Sequence, residues 1–169
     1  MEGKISNPIE KISILIVDDD VGIIDLLSNI LSVFGFKDVV SANDGRSAIK
    51  KMKNKRFDII ISDWQMEPMD GISFVKYVRK GDDSPDCLVP IIMLTGRAEV
   101  ENVKKARDAG VTEFLAKPFT AEDLRKRILS VIDNPREFVF ADAYTGPSRR
   151  RKEGAPPEGQ ERRKGTKKK

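Results

Sequence analysis

The stretch ILIVDDD, residues 14 to 20, decides how this sequence folds. Four aliphatic residues run without interruption, and three aspartates follow at once. A short, β-branched run bounded by acids suits a strand buried on both faces of a parallel sheet. Working outward, the run begins at Ile12 and ends at Val17, and four others follow it: Val39 to Ser41, Phe57 to Ser62, Pro90 to Leu94 and Thr112 to Ala116. Three of these runs are nearly continuous in apolar residues.

Between the runs lie segments of helical period. Ile24, Leu27, Leu31 and Phe34 recur at spacings of three and four and stop at Gly35, a residue type that ends helices. Val100, Val103 and Ala106 lead in the same way to Gly110. Thr120-Ala-Glu-Asp123 has the form of a capping box ahead of Leu124, Ile128, Val131 and Ile132. Five strand-helix units imply an α/β fold with right-handed crossovers and helices on both faces. They fit a flavodoxin-like, doubly wound (βα)5 parallel sheet with strand order 2-1-3-4-5.

The chain of 169 residues has room for one ordinary domain and a short extension. No stretch approaches the roughly 20 apolar residues of a membrane span. Met1 to Lys11 is polar and lacks the apolar core of a signal peptide, so a cytoplasmic protein is expected. Cys87 is the only cysteine, which excludes an internal disulfide, and histidine is absent. That absence removes Ser-His and Cys-His catalysis, histidine metal sites and a phosphohistidine carrier.

The net charge of +4 is unevenly distributed. Residues 134–169 hold 11 Lys and Arg against 5 Asp and Glu, a net of +6, leaving −2 for the remainder. The basic character therefore belongs to the tail and not to the fold. The expected organisation is a lead-in over 1–10, a domain over 11–133 and a basic, Pro/Gly/Lys/Arg-rich extension over 134–169. The extension is expected to be mostly disordered, from about residue 146 onward.

Chemistry concentrates where the strands end. A helix N-terminus accounts for one or two of Asp18, Asp19 and Asp20, but three in a row invite a divalent cation. Asp63 follows the third strand, and ligands in such sheets bind beyond the strand ends where the strand order reverses. Carboxylates, a backbone carbonyl and water make the usual Mg2+ site, in which the ion also contacts phosphate. Strand four ends at Thr95-Gly96 and strand five at Lys117-Pro118. A hydroxyl and an ammonium beside such a cluster suit a dianionic phosphoryl group. Gly96 leaves space that a larger side chain would fill.

The segments ILIVDDD (14 to 20), IIISDWQMEPMDG (59 to 71), IIMLTG (91 to 96) and FLAKPFT (114 to 120) resemble the signature blocks of CheY-like receiver domains. The resemblance covers residues 11 to 133. It implies that Asp18 and Asp19 are the metal-binding acid pair and that Asp63 is the phosphoacceptor. Gln65 would offer its backbone carbonyl to Mg2+, Thr95 is the switch hydroxyl, Lys117 the phosphate-binding lysine and Phe114 the switch aromatic. A cis bond is implied at Lys117-Pro118. Two departures stand out: Glu67 where the family usually has proline, which here comes at Pro68, and Phe114 in place of the commoner tyrosine.

The resemblance implies a two-component response regulator that takes a phosphoryl group from a histidine kinase or histidine phosphotransfer protein. Phosphorylation would switch the helix 4–strand 5–helix 5 surface for an unidentified downstream protein. Gln65 and Arg97, two residues beyond acceptor and switch threonine, would tune hydrolysis. Such a module modifies only itself and is not an enzyme in the ordinary sense. No effector domain fits the last 36 residues, whose positive charge suits an electrostatic arm for an acidic partner. Three other readings have less behind them. A phosphate-independent pseudo-receiver would lack some of these residues. An aspartate-nucleophile phosphohydrolase would want an acid where Gln65 stands. A flavin-binding protein would not place Asp18-Asp-Asp beside a phosphate.

Overall fold

The computed structural model describes residues 8–96 and 100–148. After a 3-10 turn at Pro8–Lys11, five strands alternate with five helices. They are β1 (Ser13–Val17), α1 (Val21–Val33), β2 (Asp38–Ala42), α2 (Gly45–Asn54), β3 (Ile59–Asp63), α3 (Gly71–Lys80), β4 (Ile91–Thr95), α4 (Val100–Ala109), β5 (Glu113–Ala116) and α5 (Ala121–Asp133). Each strand coincides with its expected run to within two residues. All pairings are parallel and the order is β2-β1-β3-β4-β5. The flavodoxin-like architecture is the one the strand-helix pattern implies.

The side-chain alternation of each strand divides the core in two. Ile14, Ile16, Ile59, Ile61, Ile92 and Leu94 face Leu27 and Leu31 of α1 and Leu124 and Ile128 of α5. Leu15, Val17, Ile60, Ile91 and Met93 face Ala48 and Met52 of α2, Phe74, Val75 and Val78 of α3, and Ala106 of α4. β1, β3 and β4 are buried throughout, which is why their sequences read as unbroken apolar runs; β2 and β5 are the half-covered edges. Each fully buried aliphatic side chain contributes about 1.5–3 kcal/mol, so the three central strands dominate stability.

Helix ends follow their side chains. Asp20, Asp44, Asp70 and Thr120 cap α1, α2, α3 and α5, and Thr120 with Asp123 forms the expected capping box. Gly35 and Gly110 follow α1 and α4 with φ of 94° and 105°, the left-handed conformation that only glycine takes cheaply.

The start of the extension holds an element that the strand-helix pattern did not announce. Beyond α5, β6 (Phe138–Ala141) and β7 (Tyr144–Pro147) pair antiparallel as a hairpin. β7 packs against α3 and α4, and Gly146 and Pro147 are buried. Arg136 secures the base, donating from Nη1 to the Thr112 carbonyl at 3.0 Å and from Nη2 to the Ser148 carbonyl at 2.6 Å. Arg79 of α3 is buried beneath. Its Nε donates to the Gly110 carbonyl at 3.0 Å and its Nη1 to the Cys87 carbonyl at 2.9 Å, while the guanidinium carbon lies 5.0 Å from the Phe138 ring centroid. Burial lowers the Arg79 pKa to about 10, which leaves it charged at neutral pH. The rest of the tail, from residue 149, lies outside the described residues.

Candidate functional site

Because the sheet is parallel, β1, β3, β4 and β5 all end on one side, and the residues there converge on a cleft of about 230 Å3. Asp18 follows β1 directly and is 1% exposed. Its Oδ1 accepts from the Asp20 N–H at 2.9 Å, whereas Oδ2 is buried without a hydrogen-bond partner and has Lys117 Nζ 3.5 Å away. Asp63 ends β3, also buried. Its Oδ1 lies 2.8 Å from Lys117 Nζ and its Oδ2 accepts from the Gln65 N–H at 3.1 Å.

Asp18, Asp19 and Asp63 each offer a carboxylate oxygen within 4.8 Å of the others. Asp20 does not join them. It caps α1, accepting from the N–H groups of Gly22 at 2.8 Å and Ile23 at 3.3 Å. The three consecutive aspartates thus divide into two that line the acidic cluster and one that serves the helix.

The electrostatics are unbalanced. Among the described residues the three carboxylates have one ammonium beside them, that of Lys117, which reaches Asp18 and Asp63. Burial pushes the Asp18 carboxyl up, against the Asp20 N–H and Lys117, which favour its ionised form, while the charges of Asp63 and Asp19 push it further up. Burial alone would lower the Lys117 pKa, but the hydrogen bond it donates to Asp63 and the charges of Asp63 and Asp18 outweigh it and the net shift is upward. An orphaned carboxylate oxygen, two neighbouring carboxylates and excess negative charge form an oxygen-only donor set that fits a hard divalent cation such as Mg2+.

The other expected residues separate. Thr95, the buried last residue of β4, and Gly96 line the cleft, as does the exposed Gln65. A Cβ on Gly96 would meet nothing within 4 Å, so the space there exceeds what glycine needs. Phe114 lies in β5, half-buried against the core under α4 and away from the cleft lining. Arg97 lies outside the described residues. The Lys117–Pro118 peptide is cis as expected, and so is Glu67–Pro68.

The role of Gly71 becomes visible only in three dimensions, and that of Trp64, the acceptor's neighbour in sequence, gains detail there. A Cβ on Gly71 would sit 2.2 Å from the Asp63 carbonyl oxygen and 3.0 Å from Trp64 Cα. Gly71 N–H also donates to the Trp64 carbonyl at 2.8 Å. The absent side chain lets the start of α3 close against the Asp63 backbone. Trp64 lines the cleft on one side and packs on the core on the other. The Met-Asp-Gly turn and the tryptophan were visible in the sequence, but the close approach was not.

The response regulator receiver domain family matches residues 14–129. Chemotaxis protein CheY-3 of Vibrio cholerae is 32% identical over 124 residues, which cover 73% of this chain and 94% of that protein. Among solved structures, Vibrio cholerae CheY4 superimposes with a TM-score of 0.66 at 39% identity, covering 71% of this chain and 98% of that one. The receiver domain of the Pseudomonas aeruginosa sensor histidine kinase PA1611, solved with a magnesium ion coordinated in its active site cleft, gives a TM-score of 0.64 at 28% identity over 72% of this chain and 98% of that one. Fold, strand-end chemistry and relatives agree: the chain belongs to the response regulator receiver domain family and is CheY-like.

Proposed function

We propose that this receiver is a Mg2+-dependent phosphoryl switch with Asp63 as acceptor. The observation that carries the reading is the Lys117 ammonium 2.8 Å from Asp63 Oδ1, inside a cluster where Asp18 and Asp19 present further carboxylate oxygens. A partner's phosphohistidine is the donor. An Asp63 carboxylate oxygen attacks phosphorus; the O–P bond forms as the donor's N–P bond breaks, and its electron pair returns to the imidazole nitrogen. Asp18, Asp19 and Asp63, with the Gln65 carbonyl, would hold Mg2+, which offsets charge on the transferred oxygens. Lys117 moves from its ion pair with Asp63 to a phosphoryl oxygen.

Thr95 then donates its hydroxyl to the phosphoryl group, and Phe114 turns into the space this leaves, altering the surface of α4, β5 and α5 that a partner protein reads. Water later attacks phosphorus, with Gln65 at the cleft mouth setting access, and restores the carboxylate. Self-modification is its only chemistry. On this reading residues 11–133 form the signalling unit, residues 134–169 an extension to it, and a histidine kinase or phosphotransfer protein in the cytoplasm supplies the phosphoryl group. Among the described residues no helix is long and apolar enough to cross a membrane.

Trp64 beside the acceptor provides the test. Mg2+ should quench its fluorescence, and acetyl phosphate should label the protein in Mg2+ but not in EDTA. Asp63→Asn should abolish labelling; undiminished labelling of that variant would overturn the assignment, and a Mg2+-binding wild type that never labels would indicate a phosphate-independent module.

A further inference from the structure

The C-terminal hairpin exposes a strand edge, and we propose that this edge is a self-pairing surface that joins two copies of the chain through β6. The two edges of the hairpin differ. β7 faces the domain: a Cβ on Gly110 would lie 3.0 Å from the Thr145 carbonyl oxygen, and Gly146 and Pro147 are buried. β6 faces solvent. Val139 is 42% and Phe140 64% exposed, an unusual investment of large apolar side chains in an open strand.

Backbone phase determines what this edge offers. The strands pair Phe138 with Pro147, Val139 with Gly146, Phe140 with Thr145 and Ala141 with Tyr144. The Ser148 N–H donates to the Glu137 carbonyl at 2.6 Å, so residue 137 belongs to a hydrogen-bonded pair. Such pairs alternate along an antiparallel ladder. Residues 139 and 141 therefore bond inward to β7, while the N–H and C=O groups of Phe138 and Phe140 point outward. Proline opposite Phe138 agrees with this, since that position asks no N–H of its partner.

A second copy is the occupant that this pattern fits. Antiparallel pairing about Val139 sets Phe138 opposite Phe140 of the other copy and Phe140 opposite its Phe138. All four outward groups on each strand are then bonded, and the two hairpins become one four-stranded sheet. Val139 meets its own counterpart in a non-hydrogen-bonded pair, where side chains lie closest. Glu137 falls opposite Ala141 and Arg136 opposite Asp142, so no like charges face each other. A four-residue edge buries far less than the roughly 1,200 Å2 of a stable interface. The association is therefore reversible and concentration-dependent.

Charge exchange at the two-fold tests this with the full chain. Sedimentation equilibrium of the wild type should rise from monomer mass towards twice that value with concentration. Val139→Asp and Val139→Lys, both at an exposed position, should each remain monomeric because like charges meet across the axis, and an equimolar mixture should recover the dimer. Phe140→Pro removes one outward N–H and leaves the inward ladder intact, so it should weaken association at least tenfold, whereas Phe140→Thr, which keeps the N–H, should weaken it less. A wild type that stays monomeric at millimolar concentration, or a charge-exchanged mixture that stays monomeric, overturns the proposal. A wild-type dimer indifferent to both charge variants would locate the interface elsewhere and overturn it equally.

Discussion

Gly146 and Gly110 lie back to back: a Cβ on Gly146 would stand 2.9 Å from Gly110 Cα and 2.7 Å from Tyr144 Oη. Two residues far apart in sequence thus let the C-terminal hairpin seat against the turn between α4 and β5. Gly146→Val should force the hairpin off this seat, costing about 1–3 kcal/mol, the usual range for overpacking. For a chain of this size each kcal/mol moves Tm by about 2–4 °C. Truncation after Ser148 should leave Tm unchanged in thermal melts, and truncation after Asn134 should lower it. Equal melting of the two truncations would show that the hairpin adds nothing to stability.

Lys117 is the only cation within reach of Asp18 and Asp63 among the described residues. Hydrogen bonds to charged groups are worth about 1.5–3 kcal/mol. Lys117→Met should therefore slow labelling by acetyl phosphate by about 10- to 100-fold. Mg2+ binding, followed through Trp64, should persist, because the three carboxylates remain. A rate within twofold of wild type would remove Lys117 from the account.

Gly71, packed on the Asp63 backbone, and Gly96, in the cleft lining, should respond differently to the same substitution. Gly71→Ala puts a Cβ 2.2 Å from the Asp63 carbonyl oxygen, a backbone contact that cannot yield by rotation, so both Tm and labelling rate should fall. Gly96→Ala meets nothing within 4 Å and should leave Tm unaltered. Parallel melts and labelling time courses of the two variants distinguish them.

Asp38 at the start of β2 is held below the usual carboxylate range, chiefly by its hydrogen bond from Lys55, with burial opposing and Ser13 assisting. A carboxyl with a depressed folded pKa stabilises the fold fully above its unfolded value of about 3.9 and loses that contribution as pH falls through the lower, folded value. Asp38→Asn should thus reduce stability near pH 7 slightly, the pair being partly exposed. It should also flatten the loss below pH 4. Urea midpoints measured from pH 3 to 7 for both proteins test this; parallel curves would show that the pair is not linked to acid unfolding.

Most of the fold and of the acidic cluster was legible because in a parallel sheet sequence order and spatial position coincide at the strand ends. Asp18, Asp19, Asp63, Thr95 and Lys117 come together because each ends a strand or follows one within two residues. The hairpin was not legible. Phe138-Val-Phe-Ala141 lacks a polar-apolar alternation, Asp142-Ala143 is not a typical two-residue turn, and Gly146-Pro147 reads as a break rather than a strand. Arg79 was equally hidden. Beside Lys80 at the end of an amphipathic helix it reads as surface charge, and its burial depends on carbonyls of Cys87 and Gly110 that only the folded chain supplies.

That same arginine works as a knot. One guanidinium ties the loop at Cys87, the turn at Gly110 and the ring of Phe138, so three stretches far apart in sequence share a single fastening, and loosening any one of them slackens the other two.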